Sequence, residues 1–240
     1  MGDSRDAAKA AAARHAVERY VRAGACLALG TGSTAEHAVR AIRAVYPSTR
    51  FECVASSRAT EHLASALGLA VRPLRGDDRF DLMLDGADEV APTLDLTKGG
   101  QGALLREKRL ARLAAHLVIV VDDSKLVQAL GERAPLPVEV VPYCRPVLER
   151  ELAEIGFVPH LRRTPGGEGY RTENGNEILD LVPTSPLRRP ADVEREIRSR
   201  VGVVETGLFL GIAERVVVGE PSGGVRELVR TRPGGGASPA

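Results

Sequence analysis

The stretch Ala25-Cys-Leu-Ala-Leu-Gly-Thr-Gly-Ser-Thr34 decides the fold. Ala25–Leu29 is a short apolar run, the mark of a buried strand. Gly30-Thr-Gly-Ser-Thr34 then turns the chain into a helix expected over about 35–45. The same alternation continues on both sides. Upstream, an Ala-rich helix is expected over roughly 6–22. Downstream, the strand Phe51–Ala55 leads through Ser56-Ser57-Arg58 into a helix ending near Leu67, and Leu69–Pro73 reads as a short strand. Phe80–Leu84 is a further strand and ends in Asp85-Gly-Ala-Asp-Glu89. A helix follows Gly102, then the strand Leu117–Val121 and the turn Asp122-Asp-Ser-Lys125. Strands alternating with helices imply an α/β fold with a mainly parallel, Rossmann-like sheet covered on both faces.

From Val138 the pattern changes. Strand 138–142, helix 146–155, strand 157–162, a hairpin arm at 177–182, helix 190–200 and strand 203–209 give the order β-α-β-β-α-β. That order is ferredoxin-like, with Asn174-Gly175 marking the turn before its third strand. The apolar stretch Thr206–Gly219 is expected to return to the first sheet. The expected division is a larger α/β domain over 1–130 plus 204–230, an inserted smaller α+β domain over 131–203, and a disordered Gly/Pro-rich tail at 231–240. There is no internal repeat.

Composition narrows the function. Apolar residues make up 43% of the 240, so a core can form, although aromatics are 3% and Trp is absent. Ala, Leu and Val must do the packing. With 33 basic and 32 acidic residues well mixed, no basic face for nucleic acid is expected. The three cysteines, Cys26, Cys53 and Cys144, form no metal or redox motif, and the five histidines lack ligand spacing. No metal site and no cofactor are expected. Residues 1–17 lack a signal-peptide pattern, and Leu117–Val121 is too short an apolar run to span a membrane. A cytoplasmic protein is the expectation.

Several polar motifs sit just after a strand, where open parallel sheets bind ligands. Gly30-Thr-Gly-Ser-Thr34 offers backbone N–H groups, hydroxyls and a helix N-terminus suited to phosphate. It matches neither Walker nor Gly-x-Gly-x-x-Gly spacing, and the competing reading is a helix cap at Ser33 or Thr34. Asp85, Asp88 and Glu89 cluster at one strand end, where they raise each other's pKa unless a cation or substrate hydroxyls intervene. The competing reading there is a solvated turn. Lys98 and Lys125, each beside a tight turn, could supply positive charge.

The stretch Lys98-Gly-Gly-Gln-Gly-Ala-Leu-Leu-Arg-Glu-Lys108 carries the sharpest chemical signal. Ala103, Leu104, Glu107, Leu110, Ala111 and Ala114 fall on one helical stripe, apolar except for Glu107. Arg106, Lys108, Arg109 and Arg112 fall off it. A glutamate on a buried face loses hydration and its proton affinity rises, as a general base near neutral pH requires. The alternative is a structural Glu–Arg pair. Together these loops suit a phosphorylated polyol or sugar, with a carboxylate moving a proton beside a carbonyl.

Gly30-Thr-Gly-Ser-Thr34, Asp85-Gly-Ala-Asp-Glu89, Lys98-Gly-Gly-x-Gly and Arg106-Glu-Lys108 resemble, in order and spacing, the motifs of type A ribose-5-phosphate isomerase. Leu136-Pro-Val-Glu-Val140, Asn174-Gly-Asn-Glu-Ile-Leu-Asp180 and Gly202-Val-Val-Glu-Thr-Gly-Leu-Phe209 are also similar, so the likeness runs from about 8 to 230. The resemblance implies interconversion of D-ribose 5-phosphate and D-ribulose 5-phosphate through an enediolate, a step of the non-oxidative pentose phosphate pathway, without metal or organic cofactor. It implies that Glu107 moves the proton between C1 and C2. It implies that Thr31, Gly32, Ser33 and Thr34 bind substrate, chiefly its phosphate, and that Lys125 pairs with that phosphate. Asp85, Gly86, Ala87 and Asp88 would line the sugar, contacting hydroxyls and assisting ring opening or oxygen proton transfer. Lys98 and the amides of Gly99 and Gly100 would stabilise the enediolate oxygens. Gln101 stands where the family commonly has glycine. The family's N-terminal lysine has Lys9 nearby, about one residue out of register. A homodimer or homotetramer is implied. A sugar-phosphate sensor would need a DNA-binding segment, and an amino-sugar isomerase a catalytic histidine; no histidine falls in these motifs. An acyl-CoA transferase relative is the remaining alternative.

Overall fold

The computed structural model describes residues 2–230; the expected tail at 231–240 lies outside the described residues. In chain order the first half comprises α1 (Gly2–Tyr20), β1 (Cys26–Leu29), α2 (Ser33–Val45), β2 (Glu52–Ala55), α3 (Arg58–Ala66), β3 (Ala70–Val71), β4 (Phe80–Asp85), β5 (Glu89–Val90), β6 (Leu96–Thr97), α4 (Leu104–Leu113) and β7 (Ala114–Asp122). The second half comprises β8 (Leu136–Val140), α5 (Arg145–Glu154), β9 (Phe157–Leu161), β10 (Glu177–Pro183), α6 (Pro190–Arg198), β11 (Val203–Thr206), β12 (Leu208–Phe209), β13 (Arg215–Gly219) and β14 (Val225–Val229).

Seven strands form the main sheet in the order β14-β13-β7-β4-β1-β2-β3. All neighbours are parallel except the edge pair β13–β14. The chain builds β1, β2 and β3 in one direction, then crosses back to lay β4 on the other side of β1. A crevice opens at such a switch point, outside the carboxyl ends of the two diverging strands. Gly30 follows β1 and Asp85 ends β4, so the glycine turn and the acidic cluster meet there.

Burial explains the sequence pattern. On β7, Val118 and Val120 pack with Leu27, Leu29 and the helices α1 and α2, whereas Ile119 and Val121 pack on the opposite face with Leu110 and Ala111 of α4. A strand covered on both faces reads as a continuous apolar run. Ala12, Ala13 and Ala16 of α1 are fully buried, and small side chains let this helix lie close to the sheet in a chain poor in aromatics.

The smaller sheet runs β11-β8-β10-β9, every pair antiparallel. With α5 and α6 packed on it through Leu148, Leu152 and Ile197, this is the ferredoxin-like layer expected from the sequence. The expected strand 203–209 divides in two. Thr206 ends β11, and Leu208 and Phe209 pair instead with β6 in a three-stranded sheet β12-β6-β5. The break falls at Gly207, where a Cβ would come within 2.3 Å of Lys98 O and 2.8 Å of Pro137 Cδ. Of the stretch 206–219, only β13 reaches the main sheet. The short hairpin β5–β6 and the edge strand β14 were not anticipated.

Candidate active site

Gly30 is followed by a turn whose amides are partly held. Thr31 N donates to Asp85 Oδ1 at 3.2 Å, and Thr31 Oγ1 lies 2.6 Å from Ser56 Oγ. A Cβ on Gly30 would fall 2.0 Å from Asp85 Oδ1, so only glycine lets strand β1 pass this acid. The helix cap is Gly32, with φ of 103° and no side chain to cap with. The competing reading of Ser33 or Thr34 as the cap is therefore corrected: both lie inside the first turn of α2. An uncapped helix start leaves backbone N–H groups free for an anion, with the helix dipole behind them.

Two lysines stand at this end. Lys9, left open by the sequence, comes from α1 with Nζ 3.3 Å from Ser33 Oγ and 3.9 Å from Asp122 Oδ2. Lys125 is partly exposed in the turn after β7 and lines the same cleft. The cleft has about 510 Å³ of open space, lined by Lys9, Thr31, Gly32, Ser33, Thr34, Gly86, Ala87, Asp88, Lys98, Gly99, Gly100, Gln101, Glu107 and Lys125. All the expected site residues are brought together here except Asp85.

Asp85 lies beneath the cleft, 1% exposed. Its Oδ1 also accepts from Gly86 N at 2.8 Å, and its Oδ2 pairs with Lys98 Nζ at 2.8 Å. Lys98 Nζ donates to Gly86 O at 2.7 Å and lies 3.5 Å from Glu107 Oε2. Glu107, in the first turn of α4, is 2% exposed, and its Oε2 accepts no hydrogen bond. The structure thus buries one ammonium between two carboxylates. Burial pushes Glu107 up to about 8, against the pull of Lys98 and with the charges of Asp85 and Asp88 adding to the rise. Burial also raises Asp85, with Lys98 opposing. For Lys98, burial disfavours the charge, but Asp85 and Glu107 outweigh it and hold the pKa above its ordinary value.

The acidic cluster separates into three environments. Asp88 reaches the cleft and its Oδ2 accepts from Gly100 N at 2.8 Å. That bond takes one of the two amides expected to meet the substrate oxygens. Glu89 points away and pins the 131–134 loop, accepting from Gly131 N, Arg133 N and Ala134 N at 2.6–2.9 Å. The solvated-turn reading fails for Asp85 and Glu89, since both are buried.

Lys108 corrects the single-stripe picture of α4. It is 4% exposed, with Nζ 2.8 Å from Glu205 Oε1 and 3.1 Å from Glu194 Oε1. The helix lies between the main sheet and β11 of the smaller domain, so two of its faces are buried. Among the described residues, no three His, Cys, Asp or Glu side chains gather as a metal-ligand group, and no helix is long and apolar enough to cross a membrane.

This geometry agrees with what the chain is similar to. The family model for ribose 5-phosphate isomerase A (phosphoriboisomerase A) matches residues 52–223. Ribose-5-phosphate isomerase A of Thermomicrobium roseum is 47% identical over 234 residues, covering 97% of this chain and 97% of the relative. The chain belongs to the ribose-5-phosphate isomerase A family. It is therefore an isomerase. The Deinococcus radiodurans ribose-5-phosphate isomerase A is 45% identical over 88% of this chain and 92% of its own. Among solved structures, ribose 5-phosphate isomerase from Plasmodium falciparum superposes with a TM-score of 0.90 at 30% identity, covering 95% of this chain and all of that one. A D-ribose-5-phosphate isomerase in complex with phospho-erythronic acid superposes with a TM-score of 0.89 at 32% identity, covering 94% of this chain and 99% of that one. The fold expected from the first strand–turn–helix unit is thus the fold of ribose-5-phosphate isomerase A.

Proposed function

We propose that this protein interconverts D-ribose 5-phosphate and D-ribulose 5-phosphate, using Glu107 to carry the proton between C2 and C1. The observation that carries the reading is the buried triad Asp85–Lys98–Glu107, a carboxylate of raised pKa held against an ammonium on one wall of a cleft whose other end collects lysines and a helix start.

The phosphate belongs with the N–H groups and hydroxyls of Ser33 and Thr34, beside Lys9 and Lys125. The open-chain sugar then extends toward Glu107. Ionised Glu107 takes the C2 proton of the aldose, and the C2–H electron pair becomes the C1=C2 bond of an enediolate. Negative charge develops on O1 next to Lys98. A proton moves from O2 to O1, the task suited to Asp88, the acid of the cluster that lines the cleft. Glu107 returns its proton to C1 as O2 re-forms a carbonyl, and the ketose results. Asp85 touches no substrate in this scheme. It keeps Lys98 charged and fixes the Thr31 and Gly86 amides. Every electron stays within the substrate, so the reaction calls for no redox group, and Lys98 supplies the charge stabilisation otherwise asked of a metal.

Phospho-erythronic acid, bound in one relative, is a phosphorylated polyol carrying a planar carboxylate. A carboxylate shares the two-oxygen geometry of an enediolate, so the compound suits a cleft with a phosphate end and a proton-transfer end. We further propose that the protein is a cytoplasmic homodimer or homotetramer. The deciding experiment is a coupled assay of ribulose 5-phosphate formation from ribose 5-phosphate on purified protein. No turnover would remove the reading.

A further inference from the structure

The glycine loop of the cleft is held from behind by the smaller domain. Three consecutive carbonyls, those of Gly99, Gly100 and Gln101, take donors from it. Arg162 Nη1 donates to Gly99 O at 2.8 Å and to Gly100 O at 3.1 Å, and Tyr170 Oη donates to Gln101 O at 3.4 Å. Arg162 is itself anchored. It follows β9, its amide donates to Ile178 O at 2.9 Å, and its guanidinium grips both carboxylate oxygens of Asp180. The guanidinium also lies 6.0 Å from the Tyr170 ring centroid. A planar fork can satisfy one carboxylate and two carbonyls together, which an ammonium cannot do with the same geometry.

The consequence lies on the other side of the loop. A trans peptide holds its N–H opposite its C=O. Carbonyls turned toward Arg162 therefore turn the Gly100 and Gln101 N–H groups away from it. Gly100 N meets Asp88 Oδ2 on the cleft wall, and Gly102 N closes the turn on Gly99 O at 2.9 Å. Gln101 N–H has no hydrogen-bond partner among the described residues, and Gln101 lines the cleft.

We propose that Arg162 is a positioning residue for the isomerisation: by holding the carbonyls of Gly99 and Gly100 it keeps the Gly100 N–H on Asp88 and aims the Gln101 N–H at the reacting oxygens. This rests on the isomerase reading above. The smaller domain thus takes part in the reaction without touching the substrate. A misaimed donor costs most where charge develops, in the transition state, and a displacement of about 1 Å can lower a rate about 10²-fold.

The test compares wild type, Arg162→Met and Arg162→Lys, each checked for a native circular dichroism spectrum. Arg162→Met is expected to lower kcat about 10–100-fold while KM for ribose 5-phosphate moves less than about threefold. Inhibition by 4-phosphoerythronate should weaken in step with kcat/KM, while inhibition by inorganic phosphate, which engages only the α2 end, stays at its wild-type value. Arg162→Lys should fall between, and it decides the matter if the Met variant does not fold. Wild-type kcat in the folded variants overturns the proposal. So does an equal weakening of phosphate and phosphoerythronate, which marks general loosening of the cleft. Wild-type protein without turnover of ribose 5-phosphate would instead overturn the isomerase reading and this inference with it.

Discussion

Replacing Glu107 by Gln keeps the shape of the side chain and removes its proton acceptor. If Glu107 carries the proton, kcat falls about 10²–10⁴-fold, the usual range for loss of a general base. That equals about 3–6 kcal/mol of barrier at about 1.4 kcal/mol per decade. Its raised pKa adds a second, independent signature. A carboxyl that titrates at about 8 is mostly protonated in the resting site at pH 7. Only the ionised fraction, about one-tenth at pH 7, can act as base. Wild-type kcat/KM should therefore climb about tenfold per unit well below pH 8 and level off above it. The residual activity of Glu107→Gln should lack this limb.

The same group sets a stability slope with a definite sign. Its ordinary pKa is 4.5 and its folded pKa is about 8, so between these values the folded state binds the proton that the unfolded state has released. Stability contributed by this proton is present below pH 4.5 and is lost as pH rises toward 8. Glu107→Gln lacks that loss, so its stability relative to wild type should grow across the window. Paired measurements of kcat/KM and denaturant unfolding from pH 6 to 9.5 check both effects. Near-normal kcat in the variant, or a wild-type activity limb already flat by pH 6, would refute the assignment.

Lys125→Ala should raise KM for ribose 5-phosphate and weaken inorganic phosphate inhibition together, with a smaller fall in kcat, because phosphate is bound in ground and transition states alike; steady-state kinetics read all three, and unchanged constants would make Lys125 a solvated surface lysine with no part in binding. Lys98→Met leaves Asp85 buried without its cation, so unfolding should cost about 3–5 kcal/mol less than in wild type, and Asp85→Asn added to it should recover part of that loss. Denaturant titration of the single and double variants checks this, and a fully stable Lys98→Met would contradict the buried pair. Activity should survive exhaustive EDTA treatment; loss on chelation with recovery on adding Mg²⁺ or Zn²⁺ would give the acids near Asp85 a metal to hold.

What could be read from the sequence, and what could not, follows from where periodicity exists. The strands β1, β2, β4 and β7 were legible because each is mostly apolar between turn signals, with Glu52 in β2, Asp81 in β4 and His116 in β7 as exposed interruptions. The hairpin β5–β6 was not, because strands of two residues carry no alternation. The stretch 203–209 looked like one strand since Val203-Val204 and Leu208-Phe209 bracket it, and only the pairing of Leu208 and Phe209 with β6 instead of β8 shows that the chain changes sheets at the crowded Gly207. Glu107 was legible as a charge interrupting an apolar helical face. Lys9 carries the same signal, one lysine in helical register with the buried Ala12, Ala13 and Ala16, and that register was the available clue to its place beside Ser33. Lys98 gives no such signal, because it sits on irregular chain after β6 where no period predicts which way a side chain points. Asp85 and Asp88 could not be told apart for a related reason: Asp85 is the last residue of β4 and Asp88 lies beyond it, where the alternation of the strand no longer applies, and the first lies beneath the cleft while the second lines it. A charge forced inward by function is thus visible on a helix and hidden in a loop. The loop charges must instead be found through their partners, and for Lys98 those partners are Asp85 and the already legible Glu107.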